Sequence, residues 1–150
     1  MEKKRIAAIA ASAALAITLA GCGGSSQPSS SATTPEMAAL EESAGQFLYT
    51  DDVHGDKTGN WHCFTYHSAS EPVDIASAYA SAYGVQPGEV HALVNLGTKV
   101  SANLTTDGSV LYVDEYEYVQ GEENDAEKMF TGQALSKYIV HLDSGEIEKL

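Results

Sequence analysis

The feature that most constrains how this chain can fold is an uncharged apolar run near its start, because it decides which residues are left for a globular domain. Three basic residues at positions 3–5 precede 15 uncharged residues at positions 6–20. A membrane-spanning helix needs about 20 apolar residues, so this run is too short to span a bilayer. A basic start, a short apolar stretch and small residues at its end are typical of a secretory leader. We therefore expect residues 1–21 to be removed on export.

The end of this run, Leu19-Ala20-Gly21-Cys22, resembles the lipobox of bacterial lipoproteins. The resemblance implies recognition of Leu19, Ala20 and Gly21 by a peptidase, cleavage before Cys22, and a diacylglyceryl group on the Cys22 thiol. Two acyl chains anchor a protein stably, whereas one binds only marginally. The resemblance also implies an extracytoplasmic position. This is the outer face of a Gram-positive plasma membrane or, because Gly23 rather than Asp follows the cysteine, a Gram-negative outer membrane.

A linker separates this anchor from the rest of the chain. In residues 23–35, GGSSQPSSSATTP, 11 of 13 are Gly, Ser, Thr or Pro. Such a segment cannot bury enough apolar surface to offset its ordering entropy, and its ends should lie about 20 Å apart. We expect a lipidated cysteine and tether over 22–35 and a single α+β domain over 36–150.

The charge of the mature chain excludes one class of partner. Removal of the leader leaves five lysines, no arginine and 20 acidic residues, a formal charge of −15. Nucleic-acid binding needs clustered basic residues, so no nucleic-acid partner is expected.

If Cys22 carries lipid, Cys63 has no disulfide partner within the chain, and the hydrophobic core must hold the fold.

Capping and periodicity signals predict two main helices. The first is predicted from Thr33 and Glu36 to about Tyr49. The second follows Ser68-x-x-Glu71 and ends at Gly84. A shorter third helix is predicted from residue 124 to Phe130, ending at Gly132. Alternation predicts strands at 61–66, 90–96, 100–105, 110–118, 138–142 and 146–150.

Asp107-Gly108 predicts a two-residue hairpin turn that places Leu104 opposite Leu111. Two alternatives follow for the second strand of this hairpin. Either Glu115 and Glu117 run past the core edge, or a bulge near Asp114 turns Tyr116 and Tyr118 inward. Without the bulge, Tyr112, Tyr116 and Tyr118 form an outer stripe. It is either covered by the first helix as part of the core, the reading that we favour, or exposed as a candidate binding surface.

These elements predict two helices on one face of an antiparallel sheet of about five or six strands, without βαβ alternation. From Ile75 onward the order resembles PepSY-type domains. The residues that carry the resemblance are Ala82-Tyr83-Gly84-Val85, Pro87-Gly88-Glu89-Val90 and the tail from Tyr138 to Ile147. It implies a non-enzymatic envelope module, sometimes suggested to modulate peptidases. Cystatin-like and NTF2-like folds fit the same order.

Two segments contain possible metal ligands, but neither predicts a metal site. His62, Cys63 and His67 do not complete a tetrahedral set of ligands, because on a strand His62 points away from the face that Cys63 and His67 share. We expect Cys63 to be a small buried apolar side chain. Asp51, Asp52, Asp56 and Asn60 lack the order of a calcium loop. No metal and no cofactor are therefore predicted.

Catalytic signatures are also missing from the sequence. The sequence contains no G-x-S-x-G, H-E-x-x-H, P-loop or C-x-x-C motif. No carboxylate lies at a spacing from a histidine that is typical of a catalytic pair. The sequence predicts a lipid-anchored extracytoplasmic binding module with a protein or peptide partner. The alternatives are a peptidase-regulating, inhibitor-like module and, third, a hydrolase.

Overall fold

The structure is a computed structural model that describes residues 34–45 and 47–150. Within them, two α-helices pack on one face of a seven-stranded, mostly antiparallel sheet. This confirms the predicted α+β class, with at least one more strand than expected. The strands lie side by side in chain order. Cys22 and the leader lie outside the described residues. The elements are α1 (Pro35–Ala44), β1 (Phe47–Thr50), β2 (Trp61–Tyr66), α2 (Pro72–Tyr83), β3 (Val90–Asn95), β4 (Val100–Thr106), β5 (Val110–Glu117), a 3-10 helix (Glu122–Asn124), β6 (Ala134–His141) and β7 (Ile147–Lys149).

The first helix is shorter than predicted. Its N-cap is Thr34, one residue beyond the predicted cap, and the Thr34 hydroxyl accepts the Met37 N–H at 3.2 Å. The helix ends at Ala44 because Gly45 adopts a φ of +75° with a ψ of −135°, a backbone conformation that glycine reaches without the steric cost of a Cβ atom. The prediction of helix as far as Tyr49 is therefore wrong. The residues after Gly45 form β1, which pairs antiparallel with β2 at the sheet edge.

The second helix ends at the predicted Gly84, but its N-cap is Glu71 rather than Ser68, so it begins three residues later than the predicted capping box. The Glu71 N–H donates to the Asp74 carboxylate at 3.3 Å, and the chain leaves the helix at Gly84. Because α2 carries the chain back along the sheet, β3 runs parallel to β2. The expectation of a wholly antiparallel sheet without a βαβ unit is wrong at this pair. The parallel register places His62 beside His91.

The hairpin of β4 and β5 has a wider loop than predicted. Leu104 lies opposite Val113 rather than Leu111. The Asp107 carboxylate accepts the main-chain N–H groups of residues 109–110 at 2.9 and 3.1 Å, and this turn draws more residues into the loop. The predicted register is wrong by two residues. A shift of two leaves each side chain on its predicted face.

Neither alternative for the second strand of the hairpin is correct. Glu115 is 5% exposed and lies on the same face as the helices, so its side chain is buried within the core and does not lie beyond the edge of the core. A register irregularity does occur, but between β5 and β6. Glu115 pairs with Ser136 and Tyr116 with Ala134, which leaves Leu135 as the extra residue on β6. The alternation of β5 continues through it, so the faces are not exchanged.

Both faces of the central strands are covered. On one face α1 and α2 close the larger core. On the other, residues 51–60 and 118–133 fold over β2 and β3, joined by a bridge between His54 and Asp125. The second segment contains only a 3-10 helix over Glu122–Asn124, so the predicted α-helix to Phe130 is wrong. The larger core includes Leu40, Phe64, Tyr79, Leu93, Leu104 and Val113, and the smaller core consists of Val53, Cys63, Ala92, Val94 and Met129.

Candidate functional site

Two histidines and a glutamate meet at the start of the parallel strand pair. His62 and His91 are register partners on β2 and β3, and their ring centroids lie 4.5 Å apart. Glu89 stands just before β3. One of its carboxylate oxygens lies 2.9 Å from His91 Nε2, and the other lies 3.7 Å from His62 Nε2. We call His62, Glu89 and His91 the histidine cluster. One ligand atom from each lies within 4.8 Å of the others.

The connection between α2 and β3 holds the glutamate in place. The Gln86 N–H donates to a Glu89 carboxylate oxygen at 3.1 Å, and the Glu89 N–H donates to the Gln86 carbonyl at 3.2 Å. Gly88 has a φ of +91°, which only glycine adopts without cost. This short turn aims the Glu89 carboxylate at the two imidazoles.

The second nitrogen of each imidazole also has a polar partner. His62 Nδ1 lies 2.6 Å from an Asp51 carboxylate oxygen and 3.2 Å from the Tyr49 hydroxyl. A carboxylate only accepts, so it favours a proton on Nδ1 and a lone pair on Nε2. His91 Nδ1 lies 2.7 Å from the buried Tyr79 hydroxyl, which can donate or accept. Both Nε2 atoms face Glu89, and the same rule favours a proton on His91 Nε2, so that His91 Nδ1 accepts from the Tyr79 hydroxyl.

The cluster is buried at one end and open at the other. The exposed fraction of the side chain rises from 2% for His91 to 20% for His62, 32% for Glu89 and 65% for Asp51. The hydrogen bond with His91 holds the pKa of Glu89 below its ordinary value. Burial lowers the pKa of His91. Near neutral pH these two residues therefore present a carboxylate and a neutral imidazole, the protonation states in which both bind metal ions.

The histidine–cysteine segment considered from the sequence does not form a site. Cys63 lies on the opposite face of β2 from His62 and is 1% exposed in the smaller core. Burial raises the pKa of its thiol to about 12, so it is an inert thiol at neutral pH. His67 follows β2 and is exposed. Of this segment, only His62 takes part in the cluster.

The acidic loop after β1 does not converge on a cation either. Asp56 accepts the N–H and hydroxyl of Thr58, both at 2.8 Å, and the N–H of Trp61 at 3.3 Å. Asp51 turns instead toward His62. The two carboxylates therefore serve different partners.

The tyrosine stripe is divided by its surroundings. Tyr112 is 37% exposed. Tyr116 is half-buried, with its ring 5.5 Å from that of Phe130. The Tyr118 hydroxyl donates to Glu123 at 2.9 Å, and its ring lies under Lys99. The segment after β5, rather than α1, covers the last two tyrosines. A binding role for the three remains a prediction.

Sequence reasoning missed the cluster because it depends on a parallel pairing. Glu89-x-His91 at the start of a strand, with His91 on the same face as Leu93, was an available local signal. The partner His62 comes from the far side of α2. No local spacing connects these residues.

Comparison with known proteins adds no assignment. Family models, curated proteins and solved structures all gave no match to this chain. In the described ranges, no helix is long and apolar enough to cross a membrane. The lipidation residues Leu19, Ala20, Gly21 and Cys22 lie outside those ranges. The lipobox and the PepSY-like order thus remain resemblances of sequence.

Proposed function

We propose that this chain is a lipid-anchored, extracytoplasmic binding module of the bacterial cell envelope, and that its ligand contacts the histidine cluster. The observation that carries the binding role is the convergence of two imidazoles and a carboxylate at a solvent-facing edge of the parallel pair. The anchoring and the location rest on the sequence of residues 19–22.

The unfavourable free energy of burying the polar His91 side chain supports a binding role. His91 is almost fully buried, and burying polar groups is unfavourable unless they are hydrogen-bonded. A leucine at position 91 could fill the same buried space and would need no hydrogen-bond partner. The chain instead surrounds His91 with Tyr79 and Glu89. Such polar networks beside an opening to solvent are typical of functional sites.

A hydrolase is the second candidate, favoured by one observation. The Asp51 carboxylate holds His62 Nδ1 at 2.6 Å, as an orienting acid does for a general base that takes a proton on Nε2. Ester or peptide hydrolysis that is lost in His62→Asn and retained in His67→Asn would favour this candidate over a binding module.

Anchoring is tested by replacing the lipidated cysteine. Cells expressing the full chain would be labelled with an alkyne fatty acid and separated into membrane and soluble fractions. We expect the wild type to carry label in the membrane fraction, and Cys22→Ser to carry none. Cys63→Ser is the matched control and should keep the label. Equal labelling of wild type and Cys22→Ser would contradict the anchor.

Ligand contact is tested by chemical footprinting of histidines with diethyl pyrocarbonate. The rate at His62 would be compared between intact cells and the purified full chain stripped by chelator and high salt. We expect slower modification of His62 in cells, while the exposed His54 and His67 react alike in both. Equal rates at His62 would remove the support for a ligand at this cluster.

A further inference from the structure

We propose that His62, Glu89 and His91 are three protein ligands of a zinc-type divalent metal site. This inference rests on the proposed function, because it names the ligand of the same cluster. One ligand atom from each residue lies within 4.8 Å of the others, and because both Nε2 atoms face Glu89, we assign the ligand atoms as His62 Nε2, His91 Nε2 and a Glu89 carboxylate oxygen.

The separations suit a small divalent ion. Zinc binds nitrogen and oxygen at about 2.0–2.2 Å, so two ligands of a tetrahedral centre lie roughly 3.4 Å apart. Glu89 already lies 2.9 and 3.7 Å from the two Nε2 atoms. Glu89 is on a turn and one-third exposed, so its side chain can rotate to bring all three atoms to one ion.

The donor types select the class of metal. Imidazole nitrogen suits zinc, copper, iron and nickel, whereas calcium and magnesium prefer sets made wholly of oxygen. Two imidazoles and one carboxylate form a set found in zinc enzymes with an open coordination position. The cluster faces solvent on the side of His62 and Glu89, so water can complete the coordination shell.

The hydrogen bonds behind the imidazoles are an independent argument. Metal-bound histidines almost always donate their second ring N–H to a carboxylate, carbonyl or similar acceptor, which fixes the ring and raises its basicity. Asp51 occupies that position behind His62. Tyr79 occupies it behind His91, and its hydroxyl can accept the Nδ1–H of the metal-binding tautomer.

Charge around the cluster also favours a dication. Glu89 and Asp51 together carry two negative charges, which balance one divalent ion bound to neutral imidazoles. The mature chain is strongly acidic, with 20 acidic residues against five lysines, and its field raises the local concentration of cations.

The test is calorimetric titration of the full chain in detergent, purified with a histidine-free tag and stripped with chelator. We expect one equivalent of Zn²⁺ to bind, and no heat from Ca²⁺ or Mg²⁺. Co²⁺ should give visible d–d absorption of low-coordinate N/O type. Glu89→Gln and His62→Asn should each weaken Zn²⁺ binding by at least about tenfold. The matched control His67→Asn, outside the cluster, should bind as the wild type does.

Asp51→Asn separates a positioning role from direct ligation. We expect Zn²⁺ affinity to fall by about 10- to 100-fold while the shape of the Co²⁺ spectrum stays the same. His91→Asn changes a buried residue, so its circular dichroism and melting temperature are measured first. Glu89→Gln and His62→Asn decide the question if that variant unfolds.

Three outcomes would overturn the inference. They are no Zn²⁺ heat and no Co²⁺ band in the wild type, unchanged binding in both Glu89→Gln and His62→Asn, or an equal loss in His67→Asn. Failure here is distinguishable from failure of the proposed function. Protection of His62 in cells together with no Zn²⁺ binding would keep a ligand at the cluster and exclude this metal. A wild type without fatty-acid label would contradict the anchor alone.

Discussion

The parallel pair β2/β3 and the hairpin β4/β5 are neighbours in one sheet, and both carry aromatic and polar side chains. The parallel pair is covered on both faces, and five of the six residues of β3 are buried. The hairpin is covered on the helix face, while its turn end is open, with Thr105 and Tyr112 exposed. The histidine cluster forms at the first region, where packing from both sides fixes its side chains. On the hairpin, by contrast, the turn residue Asp107 holds the neighbouring Tyr112 through a local hydrogen bond.

The largest effect is expected from removing the aromatic centre of the parallel pair. Phe64→Ala should lower the free energy of unfolding by about 3–5 kcal/mol, because Phe64 is fully buried against the rings of Phe47, Tyr66 and Tyr79. Urea denaturation followed by circular dichroism measures it. Leu48→Ala, 60% exposed on the neighbouring strand, is the control and should change stability by less than about 0.5 kcal/mol. Similar losses in the two variants would break the comparison.

A buried asparagine provides the next largest effect. Asn95 donates to the Ser70 carbonyl at 2.6 Å and accepts the Gly97 N–H at 2.8 Å, which ties the end of β3 to the segment before α2. Asn95→Ala leaves those groups without partners and should cost about 2–3 kcal/mol.

The control lies on the hairpin. Asn103 on β4 has a side-chain oxygen without a hydrogen-bond partner among the described residues. Asn103→Ala should therefore cost less than about 1 kcal/mol in the same urea titration. A loss at Asn103 as large as that at Asn95 would show that the hairpin is held as firmly as the parallel pair.

Glu115 offers a pH-dependent test on the helix face of the hairpin. Burial raises its pKa above the ordinary value of 4.5, a rise to which Glu71 and Asp74 contribute, while the Val73 N–H and Lys149 act in the opposite direction. Between 4.5 and the raised pKa the folded protein binds more protons than the unfolded chain. The stability contributed by Glu115 is therefore present below pH 4.5 and is lost as the pH rises through the folded pKa.

Glu115→Gln should consequently melt at a higher temperature than the wild type at pH 7.5, because the buried charge is gone. The difference should vanish near pH 4. Glu117→Gln on the exposed end of β5 is the control and should show no such dependence. Calorimetric melting at both pH values is the measurement. A variant that melts below the wild type at pH 7.5 would contradict the assignment of a buried, unfavourable charge.

The smallest effects compare two tyrosines of the predicted binding stripe. Tyr118→Phe removes a hydroxyl that donates to Glu123 and accepts the Gly121 N–H, so a loss of about 1 kcal/mol is expected. Tyr112→Phe removes only a bond of 3.3 Å to Asp107 at an exposed position and should change stability by less than about 0.5 kcal/mol. Equal losses would mean that the stripe is one structural unit.

Local signals were sufficient for much of the fold. Glu71, Pro72 and Gly84 mark the ends of α2 in the sequence, and alternation identifies β3, β4 and β5. The prediction of α1 failed because the apolar Phe47 and Leu48 continue a helical spacing, and this outweighed Gly45, where the helix ends. The hairpin register failed because the Asp107 side chain, rather than the Asp-Gly dipeptide alone, determines the loop.

Of the candidate site, local signals could have indicated only the pair Glu89-x-His91. Asp51 and Glu89 lie in two different connections and His62 lies on β2, so these residues come from three separate places in the chain. Their convergence depends on a crossover that no residue pattern within either strand encodes. By contrast, the burial of Cys63 followed from its strand environment and residue type.

The parallel pairing also has a consequence for the order of folding. A local hairpin such as β4/β5 can form in about 1–10 μs, whereas β2 and β3 can pair only after the chain between them, including α2, has closed a longer loop. The two imidazoles therefore meet late, and an ion has no complete site to enter while the chain is still collapsing. Binding of an ion to the proposed site therefore has to follow folding of the parallel pair. Refolding monitored through Trp61 fluorescence should then show the same rate with and without Zn²⁺, and an accelerated rate would count against this order.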